Sequence, residues 1–507
     1  MSETKDGILE KLGVIVGSIN VSAEPAMLES YSRDQSFTPP QKPNYVVMPK
    51  KVKEVQEIVR LANQQLMPVI PYSSGTDFHG AAVPNQGGIL VDLSRMNKIV
   101  ELDTLNWHVT IEPGITFAQL SQEVGKQGFR VLTPLLTPPS ASVLSTYLER
   151  EPVPQAADFI YGNEQVQTIV VVLPNGEIFT PGNPAIKGSA HSSPHGPGLN
   201  FYRLLICAQG TLGIVYQMNL RLMLLPKAQK TLFFTFDNIT DAVSAIKNIQ
   251  RKELGLECFA LNDFDLAVLL TEADATDTKK LKQGSYISNT GAKPWSEDQQ
   301  QRFNAIREAL PPWTVVISLF GWTRRPEEKV EYQELDLRDL AAEAGFTVKN
   351  TVGSVPALDK IMEEEFLLPW RMQKRFGYKG SCHGLMFHAT GDSIQMIEDA
   401  LCQVAARYRY SSSDIGAYIQ PVERARTFYC VYDLHSNPTD ADDVGRVKAF
   451  FNEASETLID LGAFFDRPYG PWAEMVYRRN GAYSEYLKKL KRELDPNLIM
   501  NPGKLCF

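Results

Sequence analysis

Apolar and polar positions follow strand and helix periods in turn along residues 44–226. YVVMP, beginning at Tyr45, and PVIPY, ending at Tyr72, are short apolar runs typical of buried strands. Between them, apolar residues recur at helical spacing and predict one buried face, made of Val52, Val55, Ile58, Val59, Ala62 and Leu66. Further buried strands are predicted at 87–94, 98–103 and 107–114.

Local motifs fix several element ends in the same region. Thr116 and Gln119 have the spacing of a capping box, so a helix is expected to start there. Its inward face is Phe117, Leu120 and Val124, and it should end near Gly125 or Gly128. IVVVLPNGEIFTPG at 169–182 predicts a hairpin with Asn175-Gly176 as its turn.

The pattern changes near residue 228. A strand–helix–strand order follows, and the same order returns at 384–420, which indicates a second, α+β domain. The polar stretch 272–302 between these units is interpreted as a surface connection. Near the end, an amphipathic helix stops at Asp495-Pro496 and is followed by a short apolar, strand-like run.

Composition narrows the class of protein. A chain of 507 residues predicts two or three domains, and 43% hydrophobic with 22% charged residues is typical of globular proteins. A net charge of −8 argues against nucleic acid as a partner. Six cysteines without a CxxC pair favour reduced thiols, and neither a secretion signal nor a membrane span is recognised, so a cytoplasmic enzyme is expected.

The loop PYSSGTDFHGAAVP, residues 71–84, raises a question of chemistry. Gly75 and Gly80 have the spacing of a nucleotide phosphate loop, but alanines stand where its Lys and Ser or Thr belong. Small residues nevertheless expose consecutive backbone N–H groups, which can bind a pyrophosphate without a metal or a lysine. An ordinary surface turn is the alternative.

These segments, taken in order, carry a family resemblance. VVMPKKVKEVQEIVRLA, PVIPYSSGTDFHGAAVP, GGILVDLSRMNKIVELD, VTIEPGITFAQL, IVVVLPNGEIF, GTLGIV and DPNLIMNPGK together resemble the vanillyl-alcohol oxidase and para-cresol methylhydroxylase family of flavin enzymes. The resemblance implies an α+β fold: a two-lobed FAD-binding domain of the vanillyl-alcohol oxidase type with an inserted α+β cap domain. It divides the chain into FAD-binding 1–227, cap 228–464 and a returning segment 465–507.

The resemblance also implies which residues contact FAD. The predicted contacts are Ser73, Ser74, Gly75, Thr76, Asp77, Pro113, Gly114, Asn163, Gly210, Thr211, Gly213, Ile214, Asn501 and Lys504. Lys504 would place positive charge near the pyrimidine end of the flavin and so stabilise its reduced, anionic form. Asn163, in Tyr161-Gly162-Asn163, replaces the acid of a Tyr-Gly-Asp element, which puts a catalytic role there in doubt. By the resemblance, His383 is the histidine that would carry a covalent bond to the flavin, and His388 is the second choice. The alternative is that FAD is bound without a covalent bond.

Departures from the family pattern fall at the substrate end. Phenol-oxidising relatives bind the phenolate with an arginine and tyrosines; here Arg467 keeps the arginine position, while Asp466 and His79 replace two tyrosines. Tyr469 lies two residues beyond Arg467. The predicted catalytic set is therefore Arg467, Tyr469, His79 and Asp466, with the last three as proton carriers.

The function that the resemblance implies is oxidation of a para-substituted phenol or benzylic alcohol by hydride transfer to flavin N5. The alternatives are a D-2-hydroxy-acid dehydrogenase of the glycolate or D-lactate type, since an arginine also suits a carboxylate, and a non-catalytic flavin-fold binding protein. Oxygen or a cytochrome-like electron-transfer protein is expected to accept the electrons. The resemblance also implies that the protein forms a homodimer. His191 and His195 lack partners at metal-ligand spacing, so no metal is expected.

Overall fold

The computed structural model describes residues 5–76, 78–155, 165–188 and 195–507. Within these ranges it has two lobes, each built on its own sheet, and a cap built on a large antiparallel sheet. This confirms the predicted α+β architecture with an inserted cap. The exact boundaries at 227 and 464 remain predictions. None of the helices described combines the length and apolar character needed to cross a membrane.

The first lobe is a small mixed sheet covered by helices. Its strands are β1 (Val21–Ser22), β2 (Tyr45–Val47), β3 (Val69–Tyr72) and β4 (Ile89–Asp92), in the order β1-β2-β4-β3, and its helices are α1 (Lys5–Val16), α2 (Pro25–Ser30) and α3 (Val52–Gln65). Strands β2, β4 and β3 are parallel, and their buried apolar runs pack against α1 and α3. Because the strands are parallel, the loop after β3 leaves the sheet at one edge.

The prediction that Leu66 lies on the buried face of α3 is wrong. Leu66 ends α3 in the left-handed conformation and is 67% exposed, whereas Leu61 is buried with the rest of the face. A residue at the carboxyl cap leaves the helical path, so the period of the helix no longer decides which way its side chain points.

The second lobe is an antiparallel sheet of five strands. They are β5 (Ile99–Asp103), β6 (His108–Ile111), β8 (Val166–Val172), β9 (Ile178–Phe179) and β10 (Ile214–Arg221), beside the ladder of β7 (Phe129–Arg130) with β11 (Met223–Leu224). The predicted 169–182 hairpin is confirmed as β8 and β9. Helices α4 (Phe117–Gly125) and α5 (Val143–Leu148) cover the sheet, and the Thr116–Gln119 capping box is present as predicted.

The cap is a six-stranded antiparallel sheet. Its strands are β12 (Ala228–Phe236), β13 (Glu257–Asn262), β14 (Trp313–Gly321), β15 (Ser381–Ala389), β16 (Gly416–Val422) and β17 (Thr427–Ser436), in the order β12-β14-β13-β16-β17-β15. The helices are α6 (Ile239–Arg251), α7 (Asp263–Leu270), α8 (Ala275–Gln283), α9 (Glu297–Glu308), α10 (Pro326–Ala344), α11 (Leu358–Leu367), α12 (Ile394–Arg407) and α13 (Ala441–Asp460). The 272–302 stretch is thus not a bare connection, because α8 lies within it and α9 begins in it.

The end of the chain returns to the first lobe. Helices α14 (Pro471–Tyr477) and α15 (Gly481–Leu494) precede the predicted strand-like run, which pairs with β3. The Val69 N–H donates to the Ile499 carbonyl at 2.7 Å, and the Asn501 N–H donates to the Val69 carbonyl at 2.9 Å. This pairing brings the C-terminal segment beside the loop that follows β3.

Candidate active site

A large cavity lies between the two lobes and the cap sheet. It encloses about 1680 Å³ of empty space, part of it open to solvent. The two lobes contribute the loop after β3, the start of α5 and the turn before β10, while the cap contributes β15 and β17. The sequence-predicted residues that line it are Ser73, Ser74, Gly75, Thr76, His79, Pro113, Gly210, Gly213, Ile214, Arg467 and Tyr469.

The loop after β3 is held by hydroxyl contacts. Ser73 Oγ lies 2.7 Å from Ser145 Oγ, and Ser74 Oγ accepts from the Ser142 N–H at 3.0 Å while lying 3.0 Å from Thr76 Oγ1. Gly75 has φ +65°, and a Cβ there would lie 1.8 Å from the Tyr72 hydroxyl oxygen. A larger residue here would be strained at this φ and would have to displace the Tyr72 ring, so glycine suits the position.

A second backbone segment approaches the same cavity at Gly210. This residue has φ +70°, and a Cβ would lie 2.3 Å from Pro71 Cγ. The two loops therefore pack backbone to ring, with no room for side chains between them. Hydroxyls and small residues on both walls suit a polar, elongated cofactor such as FAD, whose pyrophosphate needs neutral donors rather than a metal.

Several predicted flavin contacts lie outside the cavity lining. Gly114 packs against the Ser94 carbonyl, and Thr211 is buried with its hydroxyl donating to the Ala208 carbonyl at 2.6 Å. Asn501 donates to the Ala81 and Gln209 carbonyls at 3.0 and 2.7 Å. These three residues support the loops that line the cavity. Asp77 and Asn163, with Tyr161, Gly162 and His191, lie outside the described residues.

Lys504 also supports a loop instead of facing the cavity. Its Nζ donates to the Gly80 carbonyl and to Asn85 Oδ1, each at 2.7 Å. Burial lowers the pKa of Lys504 to about 8, and Asp34 opposes that shift. The predicted role of Lys504 beside the flavin pyrimidine stays a prediction.

Arg467 lies in a network at the cap side of the cavity. Its Nη2 donates to the Tyr429 hydroxyl at 2.7 Å, and its Nη1 pairs with Glu151. The Tyr429 hydroxyl in turn donates to Glu151 Oε1 at 3.1 Å. The arginine side chain is only 4% exposed, and its guanidinium also lies over the Tyr429 ring. The guanidinium is thus already engaged by a carboxylate and a phenol.

His79 and Tyr469 form a stacked pair on the cavity wall. Their ring centroids are 5.3 Å apart at an interplanar angle of 17°, and the Tyr469 hydroxyl donates to Glu149 Oε2 at 2.6 Å. Burial, with a smaller contribution from Arg467, lowers the pKa of His79 to about 3. A histidine with that pKa is neutral at physiological pH and can act as a hydrogen-bonding group, but it is a weak base.

Asp466 is not among the residues that line the cavity, and its predicted catalytic role stays a prediction. It is buried with Oδ1 3.6 Å from His388 Nε2 and Oδ2 3.5 Å from Arg150 Nη2. Burial raises the pKa of this carboxyl group. Its Oδ1 also lies 3.7 Å from Arg467 Nε, so the two neighbouring side chains are in contact.

His383 likewise faces away from the cavity. On strand β15, Cys382, Gly384 and Met386 line the cavity, and alternation places His383 on the opposite face. Its ring stacks on Phe37 at 4.2 Å, and its Nε2 lies 2.9 Å from Ser436 Oγ. The strand register therefore disagrees with covalent attachment of flavin through His383, and His388 packs beside Asp466 instead.

The cavity also contains charged residues that the sequence did not single out. Glu149 and Glu151 follow α5, and Arg375 and Asp433 come from the cap. Arg375 Nη1 lies 3.4 Å from Asp433 Oδ2. No linear motif joins these residues, because α5 and the cap meet only in the folded chain. Among the described residues, no group of three His, Cys, Asp or Glu side chains is placed to hold a metal, and His195 lies in an exposed loop.

The two-lobed fold, its capped cavity and the small-residue loops define a flavin-dependent oxidoreductase. Residues 43–182 match the FAD binding domain family, and residues 471–505 match the C-terminal domain of FAD linked oxidases. A D-lactate dehydrogenase of Anaerostipes hadrus is 30% identical over 487 residues, covering 92% of this chain and 90% of that protein. The chain therefore belongs to the FAD-linked oxidases, and FAD is its cofactor.

Other relatives share the whole length of the chain. The flavoprotein subunit of 4-cresol dehydrogenase [hydroxylating] from Pseudomonas putida is 23% identical, covering 98% of this chain and 94% of the relative. A crystal structure of p-cresol methylhydroxylase with substrate bound has a TM-score of 0.82 at 19% identity, covering 99% of this chain and 96% of that one. The structural likeness establishes the fold, and the relatives are enzymes. The chain is accordingly an enzyme and not a non-catalytic binding protein.

Proposed function

We propose that the enzyme oxidises a neutral aromatic substrate, either a para-substituted phenol or a benzylic alcohol, by hydride transfer to flavin N5. The observation that carries this proposal is the engagement of Arg467 by Glu151 and Tyr429. A small anionic substrate would have to separate a largely buried ion pair before binding the guanidinium, which costs several kcal/mol. A neutral hydroxyl group can bind without separating this ion pair.

The second arginine of the cavity leads to the same conclusion. Arg375 is buried and faces Asp433, so its charge is also balanced by a carboxylate. The remaining cavity wall includes Phe78, Phe376 and Met386, which suit an apolar or aromatic ring. Paired charges with apolar walls favour a neutral ring that carries a hydroxyl over a small charged acid.

FAD, when bound, supplies N5 as the acceptor of the hydride that leaves the substrate carbon. The chain must then accept the hydroxyl proton. Glu151 is the group best placed for this, because its carboxylate lines the cavity and is held in position by Arg467 and Tyr429. For a benzylic alcohol, loss of the carbon-bound hydride and the hydroxyl proton leaves a carbonyl product. His79 and Tyr469, which line the cavity, would contact the substrate ring and orient it.

The experiment is anaerobic mixing of the holoenzyme with each substrate class while the flavin absorbance is recorded. We expect bleaching with 4-alkylphenols or benzylic alcohols and none with D-2-hydroxy acids. Bleaching by the hydroxy acids alone would refute the proposal.

A matched pair of variants tests the proton acceptor. Glu151→Gln should lower the rate of flavin reduction by about 100-fold or more, since a positioned general base contributes that much. Glu149→Gln changes a carboxylate two residues away that accepts from Tyr469, and we expect a much smaller loss. Equal losses in the two variants would show that Glu151 has no special role.

A D-2-hydroxy-acid dehydrogenase is the second candidate. The relative with 30% identity is named a D-lactate dehydrogenase, and this observation favours it. Such a substrate would need its carboxylate to displace Glu151 from Arg467, or Asp433 from Arg375. The same anaerobic mixing experiment distinguishes the two candidates. Oxygen or an electron-transfer protein as acceptor, a homodimer and a cytoplasmic location stay predictions.

A further inference from the structure

Two buried carboxyl groups meet where the first turn of α7 packs on the cap sheet. Asp433 lies on β17 and lines the cavity, Asp265 lies on α7, and each residue is only 1% exposed. Asp433 stands between two glycines, because it pairs with Gly384 on β15 and with Gly416 on β16. Two neighbours without side chains leave room for other groups to reach the Asp433 carboxyl group.

Asp265 occupies the room that Gly416 leaves. A Cβ at Gly416 would lie 2.2 Å from Asp265 Oδ1 and 2.9 Å from its Cγ. Residues that stand opposite each other on neighbouring strands have their side chains on the same face, with Cβ atoms about 4.5–5.5 Å apart. The Asp265 carboxyl group therefore takes the place of a Gly416 side chain, next to Asp433.

One guanidinium group faces both carboxyl groups. Arg375 Nη1 lies 3.4 Å from Asp433 Oδ2, and among the described residues neither oxygen of Asp265 has a hydrogen-bond partner. Burial, together with Asp433, raises the pKa of Asp265 well above its ordinary value, and Arg375 opposes that shift. Two ionised carboxylates beside one guanidinium would leave a buried negative charge unbalanced, which is strongly unfavourable.

The other titratable groups around the two aspartates do not balance a second negative charge. Burial raises the pKa of the Cys382 thiol and of the Tyr429 phenol well above their ordinary values, so both stay neutral. Burial also lowers the pKa of His435 well below its ordinary value, so this imidazole is neutral. Asp263, on the first turn of α7, pairs with Arg307 at 2.7 Å. Among the residues that the structure describes, these neighbours thus supply no second cation.

We propose that Asp265 and Asp433 form a carboxyl pair that holds one proton at neutral pH, in which Asp433 is the ionised acceptor at the cavity wall and Asp265 is the positioning residue that donates to it. Together with Arg375 the pair forms a unit without net charge. Asp433 Oδ1 lies beside Gly384 on the cavity wall, where it can accept a hydrogen bond from a hydroxyl group of a bound ligand.

Infrared spectra of the substrate-free holoenzyme at neutral pH test the shared proton, because a carboxylic acid absorbs at a higher wavenumber than a carboxylate. Asp265→Asn should remove one carboxylic-acid band from the wild-type spectrum. Asp263→Asn is the matched control, since it changes a carboxylate on the same turn of α7 that pairs with Arg307, and it should remove none. If Asp265→Asn also removes no such band, the proposal is wrong.

A comparison of two variants tests whether Asp265 positions Asp433. Asparagine at position 265 keeps an N–H donor, whereas Asp265→Leu has about the same size and no donor. Loss of a hydrogen bond to a charged group changes an equilibrium about 10- to 100-fold. On acidification, the carboxylic-acid band of Asp433 should therefore form at a pH about one to two units higher in Asp265→Leu than in Asp265→Asn. Equal pH values would show that Asp265 does not donate to Asp433.

The role of Asp433 toward a ligand rests on the proposed function and is measured with an alcohol that reduces the flavin. Asp433→Asn should raise KM about five- to tenfold, since a hydrogen bond to a carboxylate is about twice as strong as one to a neutral group. Asp265→Asn should leave KM close to the wild-type value. An unchanged KM in Asp433→Asn would overturn the role as acceptor. The infrared measurements need no substrate, so their outcome is independent of whether the enzyme oxidises alcohols.

Discussion

Lys491 joins the end of the chain to the flavin-side turn, and its replacement by methionine is the sharpest test of how that turn is held. The Lys491 side chain is 2% exposed. Its Nζ donates to the Thr211 carbonyl at 2.6 Å, the Met500 carbonyl at 2.8 Å and Asp495 Oδ2 at 2.6 Å. One ammonium group thus connects α15, the strand-like run and the turn between Gly210 and Gly213.

The magnitude follows from what methionine leaves behind. Methionine has nearly the same length but no donor, so two buried carbonyls and a fully buried Asp495 carboxylate lose their cation. Breaking a buried ion pair by removing one partner costs about 3–5 kcal/mol. Asp495 keeps the N–H donors of Ile499 and Met500, at 3.1 and 2.8 Å, which places the expected loss toward the lower end of that range.

The assay is denaturant unfolding of the holoenzyme, followed in parallel by circular dichroism and by the fluorescence of released FAD. Lys488→Met is the control, since that lysine lies on the same helix and makes an exposed pair with Glu485. We expect the control to change the free energy of unfolding by less than about 0.5 kcal/mol. Lys491→Met should also release FAD at lower denaturant. Equal effects of the two variants would refute the reasoning.

Two further predictions concern the cavity wall. Gly210→Ala forces a Cβ to 2.3 Å from Pro71 Cγ at a positive φ, so the affinity for FAD and the stability of the protein should both fall. Gly125→Ala is the control, because a Cβ there meets nothing within 4 Å, and it should lower neither quantity. Titration of the apoprotein with flavin measures the affinity. Burial lowers the pKa of both His79 and His383 to about 3, below an unfolded value of about 6.5. Below pH about 6.5 the unfolded chain therefore binds more protons than the folded chain. As the pH is lowered, the free energy of unfolding should decrease by up to about 1.4 kcal/mol per pH unit for each histidine. His79→Phe should make the fall between pH about 6.5 and about 5 shallower, and an unchanged slope would contradict the assignment.

Features fixed by neighbouring residues were predictable from the sequence. The Thr116–Gln119 capping box forms as predicted because both partners lie within one helical turn. The 169–182 hairpin follows from its Asn-Gly turn. The loop that begins at Ser73 also lies where its small residues indicate, on the wall of the cavity.

Features that depend on strand register and domain contact were not predictable. His383 and Cys382 are adjacent, and a shift of one residue on a strand exchanges the faces of the sheet, so the resemblance alone could not decide which of the two residues lines the cavity. Glu151 and Arg375 meet the cavity from segments far apart in the chain. No periodic pattern records which side chains two distant segments present to the same space.

The two positions that depart from the phenol-oxidising pattern have a joint consequence for the substrate. Asp466 lies beside His388, Arg150 and Arg467 Nε, and the guanidinium of Arg467 also pairs with Glu151. The nearby tyrosine hydroxyls do not replace the lost phenols, because Tyr429 donates to Glu151 and Tyr469 donates to Glu149. His79, held neutral by burial, adds no positive charge. A substrate phenolate would thus meet the carboxylates of Glu149 and Glu151, and like charges at close range repel. This arrangement favours the benzylic alcohol over the phenol within the proposed class, since an alcohol stays neutral until its proton is taken.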